Sequence, residues 1–316
     1  MASGASPRRR TERVTIRDVA DAAHVSPATV SFVLNETPGQ TIPEATRERV
    51  RYAATRLGYV PHGVARALRE GTSRIVLLSV GTFRGGNSLD GLVDAMRAEL
   101  ALHDHALLVM TGEVPREVLD AVAPRAVVDL AQLTQDDDGT VVGTADGAGA
   151  GLSFHTRTQL RYLAEQGHTR IAMAVPAGDD GPLVAARLAH AARAAQELGL
   201  PPVTPVDVDL GDSPLTRCDA VRRLVSAGTV TAVAAYDDDV ALAVLAALAP
   251  LGLRAPDDLA VIGFDEGRHG RLWSPALTTV RIDGAGYGRR AARVALGLDP
   301  GPWDHTPSAV VRRESA

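Results

Sequence analysis

The side chains that most reaction chemistries need are scarce in this chain of 316 residues. It contains no lysine, so all 33 of its basic residues are arginine. That excludes a lysine-bearing phosphate loop and a Schiff-base lysine. Its single cysteine, Cys218, excludes an intramolecular disulfide framework and any multi-cysteine zinc site. No H-E-x-x-H, G-x-S-x-G or C-x-x-C occurs. The glycine run DGAGAGL lacks the strand–glycine–helix spacing of a dinucleotide loop and reads as a turn. No catalytic residue, metal or cofactor is expected. What the N-terminal stretch does offer is short polar side chains: Thr15, Ser26, Thr29, Ser31 and Asn35, the types that reach phosphate oxygens.

These residues need elements to present them. Ile16, Val19, Ala20 and Ala23 recur at helical spacing, with Thr15 as cap and Asp18 in the first turn. Ser26 caps a second helix that has Pro27 at its first position and Val30, Val33 and Leu34 as its stripe. Pro43 opens a third helix with an apolar face of Val50, Ala53, Ala54 and Leu57, and Gly58 ends it. Two short helices joined by a tight turn, then a third, make a helix-turn-helix plan. Periodicity alone leaves a purely structural three-helix bundle open.

Charge favours the nucleic-acid reading. Residues 1–74 hold 12 arginines against 7 acids, a balance of +5. Residues 75–316 hold 21 arginines against 31 acids, a balance of −10. A basic head on an acidic body points to a polyanion as the head's partner. In the body, runs such as IVLLSV, ALLVM, AVVDL, TVVGT, RIAMAV, VDVDL, TAVAAY and LAVIGF alternate with amphipathic helical stretches. That alternation predicts an α/β body of parallel sheets in two subdomains, with a cleft at the strand C-termini. No window approaches a membrane span, and no apolar core follows Arg8–Arg10, so a soluble cytoplasmic protein is expected.

The stretches VTIRDVADAAHVSPATVSFVLN and IPEATRERVRYAATRLGYVPHGVARALREG resemble the DNA-binding head of the lactose/galactose repressor (LacI-type) family. The likeness is strong over 15–71, good over 165–285 and weak over 75–155. It implies a basic tail at 1–13, a helix-turn-helix domain at 14–60, a hinge helix and linker at 61–73, and an effector-binding, dimerising core at 74–316 similar to periplasmic binding proteins. It also implies a dimeric repressor on a palindromic operator of double-stranded DNA, controlled by a small-molecule effector, carbohydrate-like or none.

The resemblance places Pro27, Ala28 and Phe32 at the base-reading positions, with Phe32 either against a thymine methyl or buried in the bundle. It places His62, Ala65 and Leu68 in the hinge, Leu68 as the minor-groove wedge. In the core it assigns Arg187, Asp237 (where the family has asparagine, followed by Asp238) and Asp265 to the effector, with Phe154 where the family has an acid. A surface or interdomain ion pair is the alternative for Arg187 and Asp265. Trp273 falls near the family's dimer contact. A cytoplasmic small-molecule-binding protein with a degenerate head, and an effector-independent regulator, remain as alternative functions.

Overall fold

A computed structural model of the chain describes residues 14–34, 39–59, 72–81, 86–133, 151–211, 213–226, 228, 230–303 and 306–316. Asn35, His62, Ala65 and Leu68, the tail 1–13 and the run TVVGT lie outside them. The chain divides into two compact units, Met1–Gly71 and Thr72–Ala316.

The first unit holds α1 (Ile16–Ala23), α2 (Pro27–Leu34) and α3 (Glu44–Leu57). Thr15 and Asp18 close a reciprocal capping box on α1. Ser26 Oγ accepts the backbone N–H of Thr29 at 3.1 Å and so caps α2. Gly58 ends α3 in the left-handed conformation, φ 64°. Val19, Ala20, Ala23, Val30, Val33, Val50, Ala53 and Ala54 form one core. Among the described residues of this unit, every buried position falls on a stripe read from the sequence.

The second unit contains two parallel sheets. The first has the order β2–β1–β3, from β1 (Ile75–Gly81), β2 (Ala106–Thr111) and β3 (Ala126–Asp129). With it go α4 (Asn87–Leu102), α5 (Arg116–Val122) and α6 (Leu130–Leu133). The second sheet has the order β5–β4–β6–β7, from β4 (Ile171–Pro176), β5 (Thr204–Val208), β6 (Ala232–Ala235) and β7 (Ala260–Ile262). Its helices are α7 (Leu152–Glu165), α8 (Pro182–Glu197), α9 (Pro214–Ser226) and α10 (Asp238–Leu248). Strands β4 and β6 are buried along their whole length, as expected of strands covered by helices on both faces. An antiparallel pair, β8 (Thr279–Ile282) and β9 (Ser308–Val311), and the helix α11 (Gly284–Ala295) complete the unit.

Helix α11 packs on α4, and both contribute to the core of the first sheet. The approach is close enough that a Cβ on Gly284 would overlap the Ser88 carbonyl, and one on Gly288 the Leu92 carbonyl. Glycine lowers helix propensity by about 1 kcal/mol relative to alanine. Here it allows two helix backbones to touch.

Candidate effector cleft and DNA-facing helix

The C-terminal ends of β6 and β7 expose carbonyls that must be satisfied, and two side chains from the covering helices do so. Gln159 of α7 donates to the carbonyls of Ala235 and Gly263, each at 2.9 Å. Arg187 of α8 donates to Ala235 O at 3.1 Å and Tyr236 O at 3.3 Å. It also donates to Thr156 Oγ1 at 2.6 Å and Gln159 Oε1 at 3.0 Å. The ring of Phe264 covers the guanidinium, 3.6 Å from its carbon. Arg187 is 1% exposed, and burial pushes its pKa down to about 9. Its hydrogen bonds go to neutral groups and form an internal knot that ties two helices to the strand ends, while the nearby Asp237 charge acts to raise its pKa.

The loop after β7 is held by Asp238. Its carboxylate accepts the N–H of Phe264 at 2.8 Å, the N–H of Gly267 at 2.6 Å and the hydroxyl of Thr279 at 2.5 Å. Burial nevertheless pushes its pKa up to about 7. Thus anchored, the loop sets Asp265 at φ 87° and Glu266 at φ 47°, both left-handed. Arg281 and Arg313 pair with Glu266 and fix the turn further. Asp265 Oδ1 then accepts the N–H of Ser88, in the first turn of α4, at 2.9 Å. Burial, set against its hydrogen bonds to Ser88, raises the Asp265 pKa to about 6. Asp237 caps α10 by accepting the N–H of Val240 at 2.8 Å.

Between the two sheets these elements enclose a cavity of about 180 Å³. Arg187, Asp237 and Asp265 lie on its wall, and so does Asp238. Phe154 does not. One residue turns a helix by about 100°, and on α7 it is His155 that lines the cavity, while Phe154 stacks against Arg157, 5.6 Å from its ring. His155 is 3% exposed, and burial, with the nearby Arg187 charge, brings its pKa down to about 3. Its Nε2 lies 3.0 Å from the hydroxyl of Tyr287, which also accepts the N–H of Gly151 at 2.8 Å. Its Nδ1 is buried without a hydrogen-bond partner.

In the first unit, Ser26, Pro27 and Ala28 are exposed at the start of α2, while Val30 and Val33 are buried. Phe32 is half-buried and stands outside the head's core cluster, which disfavours burial in the bundle as its role. Thr29 and Ser31 are half-buried, and Thr15 is exposed at the start of α1.

Residues 15–62 match the model of the bacterial regulatory proteins of the lacI family, and residues 160–315 match that of the periplasmic binding protein-like domain. The HTH-type transcriptional repressors PurR of Salmonella newport (strain SL254) and Salmonella typhi are each 31% identical to the chain, covering 89% of it and 89% of their own length. The chain belongs to the LacI family of bacterial regulatory proteins. It is a DNA-binding transcriptional regulator of that type. The fold agrees. The structure titled as the Lac repressor dimer bound to operator and the anti-inducer ONPF aligns with TM-score 0.71 at 22% identity, over 96% of this chain and 99% of that one. The transcriptional regulator CelR–cellobiose complex aligns with TM-score 0.56 at 24% identity, over 96% and 100%.

For this LacI-family member, sequence reasoning missed His155, Tyr287, Gln159, Phe264 and the Gly86–Ser88 segment. Tyr287 sits in GAGYG, whose glycines disguise a helix. Gly86 gave no signal short of the fold, because what it touches lies 179 residues away in sequence.

Proposed function

We propose that the chain is a homodimeric repressor that binds a two-fold symmetric operator through α2 and is released or retained there by a small molecule bound in the cleft. The observation that carries this reading is the division of α2. Its apolar side builds the head's core, while Ser26, Pro27 and Ala28 stand exposed at its N-terminus. A helix start exposes N–H groups that suit phosphate, and the residues after it reach base edges.

On this reading Thr15, Ser26, Thr29 and Ser31 touch the backbone, with Asn35 and His62. Pro27, Ala28 and Phe32 meet the bases by shape and apolar contact. Ala65 and Leu68 form the minor-groove wedge, in a hinge at 61–73 between a head at 14–60 and a core at 74–316. Trp273, 41% exposed beside the 77% exposed Leu272, is a contact between subunits. The chain acts in the cytoplasm and has no catalytic role.

The PurR relatives are repressors by name, and the titled ligands of the structural neighbours are ONPF and cellobiose. These make an effector in the cleft the natural counterpart of the head. Selection from a pool of random duplexes tests the proposal. Enrichment of a palindrome, bound with a log–log salt slope near −0.9 per neutralised phosphate, is the expected result. Binding without sequence enrichment would favour a small-molecule-binding protein with a degenerate head.

A further inference from the structure

The walls of the cleft are carbon over most of their area, with Leu89, Leu92, Leu130, Leu183, Ile282 and Tyr287 among them. A sugar ring buried there would leave hydroxyls without partners, each at a cost of desolvation. Its carboxylates are Asp237, Asp238, Asp239 and Asp265, of which Asp237 and Asp265 are near enough to interact. The basic residue on the wall, Arg187, has its charge committed to Thr156, Gln159 and two strand-end carbonyls beneath the Phe264 ring. An anionic ligand would therefore meet these carboxylates beside a guanidinium whose two terminal nitrogens are already bonded within the protein.

Two polar atoms of the residues on its wall are buried without a hydrogen-bond partner, Arg187 Nε and His155 Nδ1. Tyr287 O accepts from Gly151, so its own proton can go to His155 Nε2, which leaves the proton of the neutral imidazole on Nδ1 as a donor.

We propose that the effector is a small amphiphilic amine: an apolar, ring-sized body with a basic nitrogen at the Asp265–Asp237 end and a hydrogen-bond acceptor facing His155 Nδ1. The proposal deepens the reading of the cleft as the effector site and rests on it. A cavity of about 180 Å³ suits a single aromatic ring with a short side chain. The ammonium would pair with carboxylates that are otherwise held partly out of water. Since burial has raised the Asp265 pKa to about 6, binding of a cation would displace its residual proton near that pH.

An isosteric series separates the elements of the claim. Tyramine, the neutral 2-(4-hydroxyphenyl)ethanol, the anionic 4-hydroxyphenylacetate, phenethylamine and glucose are compared on the full chain by thermal shift and calorimetry. Tyramine should bind most tightly, with phenethylamine weaker by the lost acceptor, the neutral alcohol weaker by at least about tenfold, and the acid and glucose without effect. Asp237→Asn keeps the α10 cap, because asparagine caps as well as aspartate, and Asp265→Asn keeps an acceptor for Ser88. Each should weaken tyramine at least about tenfold and leave the neutral alcohol unchanged. His155→Phe should bring tyramine down to phenethylamine. Glucose or the acid binding as well as tyramine would overturn the ligand class, as would an absence of amine binding at millimolar concentration or amine binding indifferent to both Asn variants. Operator affinity measured with and without tyramine tests the underlying reading separately. Tight amine binding that leaves operator affinity unchanged would overturn the effector role and keep the site.

Discussion

Asp265 caps a helix to which it does not belong. Helix α4 begins at Gly86, which has no side chain to offer its first N–H groups, and Asp265 supplies the acceptor for Ser88 from the loop after β7, 177 residues away. The glycine is required as well as permitted, because a Cβ there would overlap Asp265 Oδ2. The carboxylate that the family resemblance assigns to an effector is thus already in use, joining the two halves of the body across the cleft.

Asp265→Ala should therefore destabilise the body by about 1–2 kcal/mol, the usual cost of a lost cap. Gly86→Ala should cost a similar amount by pushing the same carboxylate away. Because both break one contact, the double variant should fall short of additivity. The body can be followed alone, since the chain's two tryptophans, Trp273 and Trp303, both lie in it. Additive losses by urea titration of tryptophan fluorescence would show that the two residues act independently.

A second expectation concerns acid. His155 is held down to about 3 from an ordinary value of 6.5, so the fold favours the neutral ring. The stability this gives is full above about pH 6.5 and drains away as pH falls towards 3, at about 1.4 kcal/mol per pH unit. Asp265 and Asp238, raised to about 6 and about 7, work in the opposite direction and lose stability as pH rises through those values. The difference between the chain and its His155→Gln variant cancels both. That difference should shrink by close to one proton's slope between pH 6.5 and 4.5. A constant difference over this range would mean that the ring is protonated in the folded body.

The head was legible because its signals are local. Thr15 with Asp18, Ser26 with Pro27, and Gly58 at a helix end each act within one turn, and the apolar stripes follow at helical spacing. The alternation that announced parallel sheets is likewise a local pattern, and β1 to β7 appear where it placed them. The cleft resisted for three physical reasons. Phe154 and His155 differ by one residue of helix phase, which no spacing argument on a 14-residue helix fixes. Arg187 reads as an effector-holding arginine or an ion-pairing charge until its neutral partners are known. Gly284, Gly286 and Gly288 give no helical signal because glycine disfavours helices, and the close contact of Gly284 and Gly288 with α4 is visible only in the fold.

The same contact is testable. Gly284→Ala and Gly288→Ala would each drive a methyl group into a backbone carbonyl of α4, which cannot move without shifting the whole helix. Each should cost about 1–3 kcal/mol or more, as overpacking does. Gly91→Ala is the control. Its Cβ would stand 3.5 Å from Ala285 N, an ordinary contact. It should be neutral or stabilise by up to about 1 kcal/mol through helix propensity. If all three variants behaved alike in thermal denaturation, the close approach of α4 and α11 would be refuted.

The last expectation separates folding from reading in the head. Val30 is fully buried in the core of the three helices, whereas Ala28, two residues earlier, is exposed at the start of α2. Val30→Ala opens a void in a small core and should destabilise the head by about 1–3 kcal/mol, weakening specific and nonspecific DNA binding together. Ala28→Gln should leave stability within about 0.5 kcal/mol. It places a bidentate amide where the chain has only a methyl group, and such a side chain prefers adenine by about 1–3 kcal/mol. Repeating the duplex selection with Ala28→Gln should therefore move the preferred base at one symmetric pair of operator positions and leave the rest. An unchanged consensus in a stably folded Ala28→Gln head would show that the start of α2 does not face the bases.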